Sequence, residues 1–265
     1  MKIIVLIKQV PEIEKVRFDY ERGRLDRSSA GVETNPFDLN ALEAAVQIKD
    51  KVGGSIIAIS MGPMQAIETL RDAIARGADE AILLSDEKFA GADTLATAYT
   101  LATAIKKVGK FDLVICGEKT VDGDTAQVGP EVAEFLGIPH AAYVEEIRQI
   151  NEDSVIAVAR MERNRYVMKL KLPALITVTK DINSPRLPTL RDKLRAMRAY
   201  ITIWRYADLS EGIGPHYFGF EGSPTRVVRV YTPASGERMG QIISGTPKEV
   251  AQKIVHILRE NKILD

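Results

Sequence analysis

The chain has one cysteine, Cys116, among 265 residues. A single thiol excludes an internal disulfide and every paired-cysteine metal site, and it fits a reducing compartment. Histidine is scarce too: His140, His216 and His256 stand far apart, so no closely spaced ligand pair arises and no metal is expected. Charge of one sign is missing, because 36 Lys and Arg balance 36 Asp and Glu. A neutral chain carries no field that gathers polyanions, which argues against nucleic-acid binding. Long apolar runs are absent as well. The first, residues 3–7, stops at Lys8 without the length or cleavage site of a signal peptide, and nothing approaches the ~20 apolar residues of a membrane span. The expected location is therefore cytoplasmic, with any membrane association coming through a partner. Two nucleotide motifs are missing: no Gly-x-Gly-x-x-Gly follows a strand, and no Gly-x4-Gly-Lys-[Ser/Thr] occurs.

What is present alternates. At roughly 150 residues per domain the length suits one main domain with an appendage, and 45% hydrophobic residues can fill a sizeable core. Short apolar runs at 3–7, 55–60, 81–84 and 112–116 read as strands buried on both faces. Between and after them lie helically spaced sets: Leu39, Leu42 and Val46; Ile67, Leu70 and Ile74; Leu95, Tyr99, Ala102 and Ile105; Val128, Val132 and Leu136. Strand and helix in alternation imply right-handed crossovers, hence an α/β fold with a doubly wound parallel sheet over residues 1–145. Asn35 before Pro36 reads as a capping side chain ahead of a first-turn proline, Gly62 before Pro63 as a repeat of that device, and Gly77 and Gly137 as left-handed caps.

After residue 150 the pattern changes. Residues 154–161 and 166–172, separated by Glu162-Arg163-Asn164-Arg165, predict an antiparallel hairpin extension feeding a strand at 174–180. Prolines at 185 and 188 precede a basic helix over 190–198. Residues 205–245 are rich in glycine and proline and read as an arm that wraps a partner. Thr246-Pro247-Lys248-Glu249 then opens an amphipathic C-terminal helix with a capping box. The expected division is 1–204, an α/β domain with the hairpin extension and the proline-led basic segment at 183–198, and 205–265, a C-terminal arm and helix.

Ligands of open parallel sheets bind beyond the carboxyl ends of the strands, after residues 8, 60, 84 and 116 here. The fourth such loop reads Gly117-Glu118-Lys119-Thr120-Val121-Asp122-Gly123-Asp124-Thr125-Ala126-Gln127-Val128-Gly129-Pro130. Gly123 permits close backbone approach, and the amides from Asp124 to Gln127 at a helix start suit a phosphate. Against that, Asp122 and Asp124 would repel a phosphate, and both could serve only as helix caps. Cys116 lacks an evident base and reads as a small buried thiol, while Met61 suits an adenine face or the core equally.

Four segments together resemble the electron transfer flavoprotein beta-subunit family across nearly the whole chain. They are Asn35-Pro36-Phe37-Asp38, Ser60-Met61-Gly62-Pro63, the loop from Asp122 to Pro130, and Leu172-Pro173-Ala174 onward to Asn183-x-Pro185-Arg186-x-Pro188-Thr189-Leu190. The resemblance implies a heterodimer with an alpha subunit that carries one FAD, and an adenine nucleotide across this chain's strand ends. In ordinary members that nucleotide is structural AMP. In electron-bifurcating members it is a second FAD, reduced by NADH, which sends one electron to ferredoxin or flavodoxin and the other to the alpha-subunit FAD. The ordinary loop reads Asp-Asp-Asp-Cys-Asn-Gln-Thr-Gly-Gln, whereas Asp-Gly-Asp-Thr-Ala-Gln-Val-Gly-Pro here is similar to the bifurcating form. Positions matching the family's nucleotide contacts are Leu6, Asn35, Pro36, Phe37, Asp38, Met61 and the run from Gly117 through Val128. Leu190 matches the leucine that docks a partner dehydrogenase or quinone-linked oxidoreductase. No catalytic residue is expected, because the flavin supplies the chemistry. The α/β plan alone also admits a universal-stress-type nucleotide-binding module, although the 120-odd residues beyond 145 argue against it.

Overall fold

In the computed structural model, which describes residues 1–12, 17–19, 24–26, 31–226, 228, 240 and 242–264, strand β1 (Lys2–Leu6) shows how the core is divided. Its side chains alternate, with Ile3 and Val5 in one apolar cluster and Ile4 and Leu6 in another, as the two-residue period of a strand requires. Two short ladders follow: β2 (Gln9–Pro11) pairs with β5 (Val32–Thr34), and β3 (Arg17–Asp19) with β4 (Arg24–Asp26). Next come α1 (Pro36–Val52), β6 (Ser55–Met61), α2 (Ile67–Arg76), β7 (Glu80–Leu84), α3 (Thr94–Val108), β8 (Leu113–Gly117) and α4 (Val128–Leu136). The chain continues through β9 (His140–Ile150), β10 (Ser154–Met161), β11 (Asn164–Lys171), β12 (Ala174–Val178), α5 (Leu190–Met197), β13 (Thr202–Trp204), α6 (Tyr206–Leu209) and α7 (Pro247–Glu260).

Nine of these strands form one sheet in the order β11-β10-β9-β12-β8-β1-β6-β7-β13. Pairing is parallel from β9 to β13 and antiparallel at β9–β10 and β10–β11. The winding reverses at β1, whose neighbours are β6 on one side and β8 on the other. A crevice at such a reversal is where open α/β sheets take ligands. Leu42 and Ala45 of α1 with Leu70 and Ile74 of α2 bury one face, and Leu101 and Ile105 of α3 with Val132 of α4 bury the other. The α/β class, doubly wound sheet and hairpin extension are therefore as expected. Among the described residues no helix is long and apolar enough to cross a membrane.

Several details differ from the sequence reading. Asn35 does not cap α1 with its side chain, which is turned to another task described below. Pro63 sits one position before a short 3-10 turn, Met64–Ala66, so it precedes the first helical residue instead of filling that position. Gly77 closes α2 with φ 129° and ψ 2°, outside the left-handed helical region that Gly137 does occupy. The hairpin turn is only Glu162-Arg163, with Glu162 at φ 52°, and β11 begins at Asn164. Strand β12 stops at Val178, after which Lys180–Ile182 turns as a 3-10 helix.

The chain divides into two units, residues 1–226 and 227–265. Much of the glycine-rich stretch after 205 thus belongs to the first unit, where Phe218 is 1% exposed and Leu209 is buried. In the second unit, α7 has the expected capping box between Thr246 and Glu249, with Ile254 and Val255 solvent-exposed. The predicted run of arm between 227 and 241 lies almost entirely outside the described residues.

Candidate functional site

Beyond the carboxyl ends of β1, β6 and β8 lies a cleft of about 400 Å³, within the range of small-molecule sites. Leu6, Ile59 and Met61 give it an apolar floor. One wall is the loop after β8. Gly117, Glu118, Lys119, Thr120, Gly123, Thr125, Ala126, Gln127 and Val128, all among the positions expected to contact a nucleotide, line the cavity.

Gly117 starts this wall because nothing larger fits. A Cβ there would lie 2.6 Å from Phe37 Cβ and 2.6 Å from Asp38 Oδ1. Pro36 supplies the first residue of α1, so the helix begins against the glycine. Asp38 then joins two strand ends, accepting from Lys8 N at 2.8 Å and Gly117 N at 3.0 Å. Burial pushes its carboxyl up to about 7, although both backbone bonds and the Lys8 charge pull the other way. Asn35, fully buried, donates to Lys119 O at 2.9 Å and accepts from Val121 N at 3.2 Å. Its amide is spent holding the loop from behind, which is why it is not available as a cap.

Asp122 and Asp124 do not cap α4 either, since Gln127 takes that position. Lys8 Nζ lies 2.7 Å from Asp122, and Lys119 Nζ lies 2.7 Å from Asp124. Each carboxylate is thereby paired with a lysine that lines the cleft, which answers the objection that the loop's acids would repel a phosphate. Asn35, Phe37, Val121, Asp122 and Asp124 form the support behind the lining. Backbone strain falls on unexpected residues: Asp124 and Ala126 have φ of 52° and 56°, while Gly123 does not need its freedom. Left-handed residues alternating with ordinary ones turn successive amides to one side, a concave anion cradle. Among the described residues the amides of Thr125, Ala126, Val128 and Gly129 donate to no acceptor, as the first amides of a helix are left free to do.

The second wall was missed by sequence reasoning. Phe89, Gly91, Ala92, Asp93, Thr94 and Thr97, between β7 and the first turn of α3, face the cavity with Leu101 below them. Position after the third strand marked this loop, but its only local signal is Asp93 as cap, whose side chain accepts from Ala96 N. At the rim the Thr94 hydroxyl lies 3.1 Å from Gln127 Oε1, so the two walls touch. Cys116 lies at the base, where burial pushes its thiol up and leaves no nucleophile. Among the described residues no cluster of three metal-ligating side chains occurs.

Leu190 is remote from the cleft, 75% exposed at the start of α5. Thr189 and Asp192 close a capping box there, and Leu187, Leu194, Met197 and Tyr200 are also solvent-exposed nearby.

Residues 23–209 match the family model for the electron transfer flavoprotein domain. The chain is 43% identical to electron transfer flavoprotein subunit beta of Thermoanaerobacterium thermosaccharolyticum, with both chains fully covered. It is 44% identical to caffeyl-CoA reductase-Etf complex subunit CarD of Acetobacterium woodii, again over the whole of each. Protein FixA of Bradyrhizobium diazoefficiens is 41% identical over 99% of this chain and 92% of its own. Matches over the whole length of the Thermoanaerobacterium and Acetobacterium relatives favour this family over a universal-stress-type module.

Proposed function

The chain belongs to the electron transfer flavoprotein family as a beta subunit, and from that membership we propose that its cleft binds FAD and serves electron bifurcation with NADH as donor. The observation that carries this reading is the second wall. The amide cradle at residues 124–129 suffices for the single phosphate of AMP, yet the cavity continues along Phe89, Gly91 and Thr97 over an apolar floor. A dinucleotide uses both parts.

Each group has a stated task in this reading. The free amides at the start of α4 and the Thr125 hydroxyl hold the pyrophosphate. Lys8 and Lys119 neutralise the loop's own carboxylates and leave the amide field to the ligand. Met61 and Leu6 present apolar surface to the adenine. FAD held by these residues would supply the redox chemistry, a two-electron uptake from NADH with single-electron delivery to ferredoxin or flavodoxin and to the FAD of the alpha subunit. The chain itself moves no proton and forms no covalent bond.

Contact with the alpha subunit is assigned to the C-terminal arm and helix, where α7 exposes Ile254 and Val255. The partner dehydrogenase docks on Leu190 and its exposed apolar neighbours, with Arg191, Arg195 and Arg198 steering an acidic rim. The name of the Acetobacterium relative places that protein with a CoA-ester reductase, which makes a CoA-ester reductase the favoured partner class here.

The test is an anaerobic assay of the purified heterodimer with NADH, ferredoxin and the partner reductase. Bifurcation predicts ferredoxin reduction only when the reductase's own acceptor is also present. A heterodimer that leaves NADH unoxidised under all combinations has the structural AMP role instead.

A further inference from the structure

Asp93 lines the cleft at the start of α3, yet its hydrogen bonds reach a segment 130 residues away. One carboxylate oxygen accepts from Ala96 N at 3.1 Å and caps the helix. The other accepts from both the amide and the hydroxyl of Thr225, at 3.1 and 2.8 Å. Its own amide donates to Ser223 Oγ at 2.8 Å, and that buried hydroxyl donates to Gly219 O at 2.7 Å.

Residues 218–225 therefore lie as a strap along the outside of the second wall. Phe220 N donates to Ala90 O at 2.9 Å. A Cβ on Gly219, whose φ is 55°, would come within 2.1 Å of Lys88 O, so the strap sits flush against the wall. Phe218 anchors it from below, with ring centres 5.8, 5.5 and 5.3 Å from those of Phe89, Tyr99 and Tyr206. On the inner side Thr94, the residue after Asp93, reaches Gln127 across the cleft.

A cap needs one side-chain oxygen, which serine, threonine or asparagine supplies as well as aspartate. Asp93 uses both oxygens and its amide, and the negative charge strengthens the two bonds from Thr225. Burial opposes its ionisation, but the bonds from Ala96 and Thr225 outweigh that and hold the carboxyl below the usual range. The bonding exceeds what a helix start requires.

We propose that Asp93 is a positioning residue of the nucleotide site: by clamping Ser223 and Thr225 to the start of α3, it sets where Thr94 and Thr97 stand opposite the Gln127 rim. That distance governs how firmly the cleft grips the part of the nucleotide extending past its phosphates. The inference rests on the FAD reading of the cleft.

The experiment uses the heterodimer and three substitutions. Asp93→Ser keeps a cap oxygen but cannot span to Thr225; Thr225→Val removes the hydroxyl's bond, keeps the amide's and leaves the cap intact; Asp93→Asn keeps the cap and the bond with the Thr225 hydroxyl but loses the amide's; all three keep the bond from the residue 93 amide to Ser223. The readouts are the rate at which flavin fluorescence appears on dilution and the visible circular dichroism of the bound flavin. Loss of both bonds to the charged group predicts release about tenfold faster or more in Asp93→Ser, and loss of one a smaller, several-fold increase in Thr225→Val. The dichroism should change in the same direction in both, the double substitution should be no worse than Asp93→Ser alone, and Thr225→Val and Asp93→Asn should each fall between wild type and Asp93→Ser. Wild-type release and dichroism in both Thr225→Val and Asp93→Asn, each of which loses one of the two Thr225 bonds while the cap stays, would overturn the proposal, because Asp93 would then be a cap and nothing more. Nucleotide content of the unsubstituted heterodimer is measured first: absence of FAD from this subunit overturns the cofactor reading and the inference with it, whereas FAD present with an inert clamp overturns the inference alone.

Discussion

Asp38 is a carboxyl with two amide donors and almost no solvent. Its pKa is raised to about 7 from 3.8 by burial, so between those values the folded protein binds more protons than the unfolded chain. Stability from this group is then complete below about pH 4 and lost as pH rises through 7, a change of a few kcal/mol. Asp38→Asn removes that dependence. Urea midpoints of the two proteins across pH 4 to 8 should diverge in slope, with the variant flatter; parallel curves would mean that Asp38 is ionised throughout. Residues such as Asp122, Asp124 and Asn35 were legible in the sequence as site residues, but their tasks were not. Asp122 is paired with Lys8, 114 positions away, and Asn35 bonds a loop 84 and 86 positions away. Local rules offer a cap for each of them, and only tertiary geometry shows the pairing that prevails.

Among the elements, the segment from Asn183 to α5 carries an exposed surface on a rigid mount. Asn40 and Asn183 exchange side-chain to backbone bonds. The Arg186 guanidinium holds the buried Glu43 through two bonds, at 2.8 and 3.1 Å, and Asp50 through a third, while the Arg186 amide adds a bond to Glu43 at 3.1 Å. Burial would raise the Glu43 carboxyl, yet the bonds and charge of Arg186 outweigh it and keep Glu43 below the usual carboxylate range. Arg186→Ala removes the ion pair, though the backbone amide at 186 and Gln47 still donate to Glu43, and should cost roughly 2 kcal/mol, discounted because the guanidinium is partly solvated. Thermal or urea unfolding near pH 7 measures it, and the deficit should shrink as Glu43 protonates in acid. Leu190→Ala should leave stability within about 0.5 kcal/mol but weaken association with the partner dehydrogenase about tenfold or more. Calorimetric titration separates the two effects, and unchanged affinity would remove Leu190 from the docking surface. The four parallel strands were readable as short continuous apolar runs, and their helices because each carries a period. Strand β9 was not, since its eleven residues bend through two register shifts against β10 and a positive φ at Tyr143. β13 was invisible for another reason: three residues are too short to show a period, and β7 supplies its pairing.

At the scale of the molecule, the same asymmetry separates the two walls of the cleft. The loop after β8 announces itself by glycine, acids and threonine before a helix. The wall from Phe89 to Thr97 owes its place to a strap folded back from residues 218–225, in a stretch whose glycines and prolines read as a wrapping arm. That second wall is what favours a dinucleotide over a mononucleotide. The most direct measurement is to purify the chain with its alpha subunit, release the nucleotides by denaturation, and count FAD and AMP per heterodimer. Two FAD and no AMP are predicted; one FAD with one AMP would contradict the bifurcating reading and leave this subunit a structural and docking role.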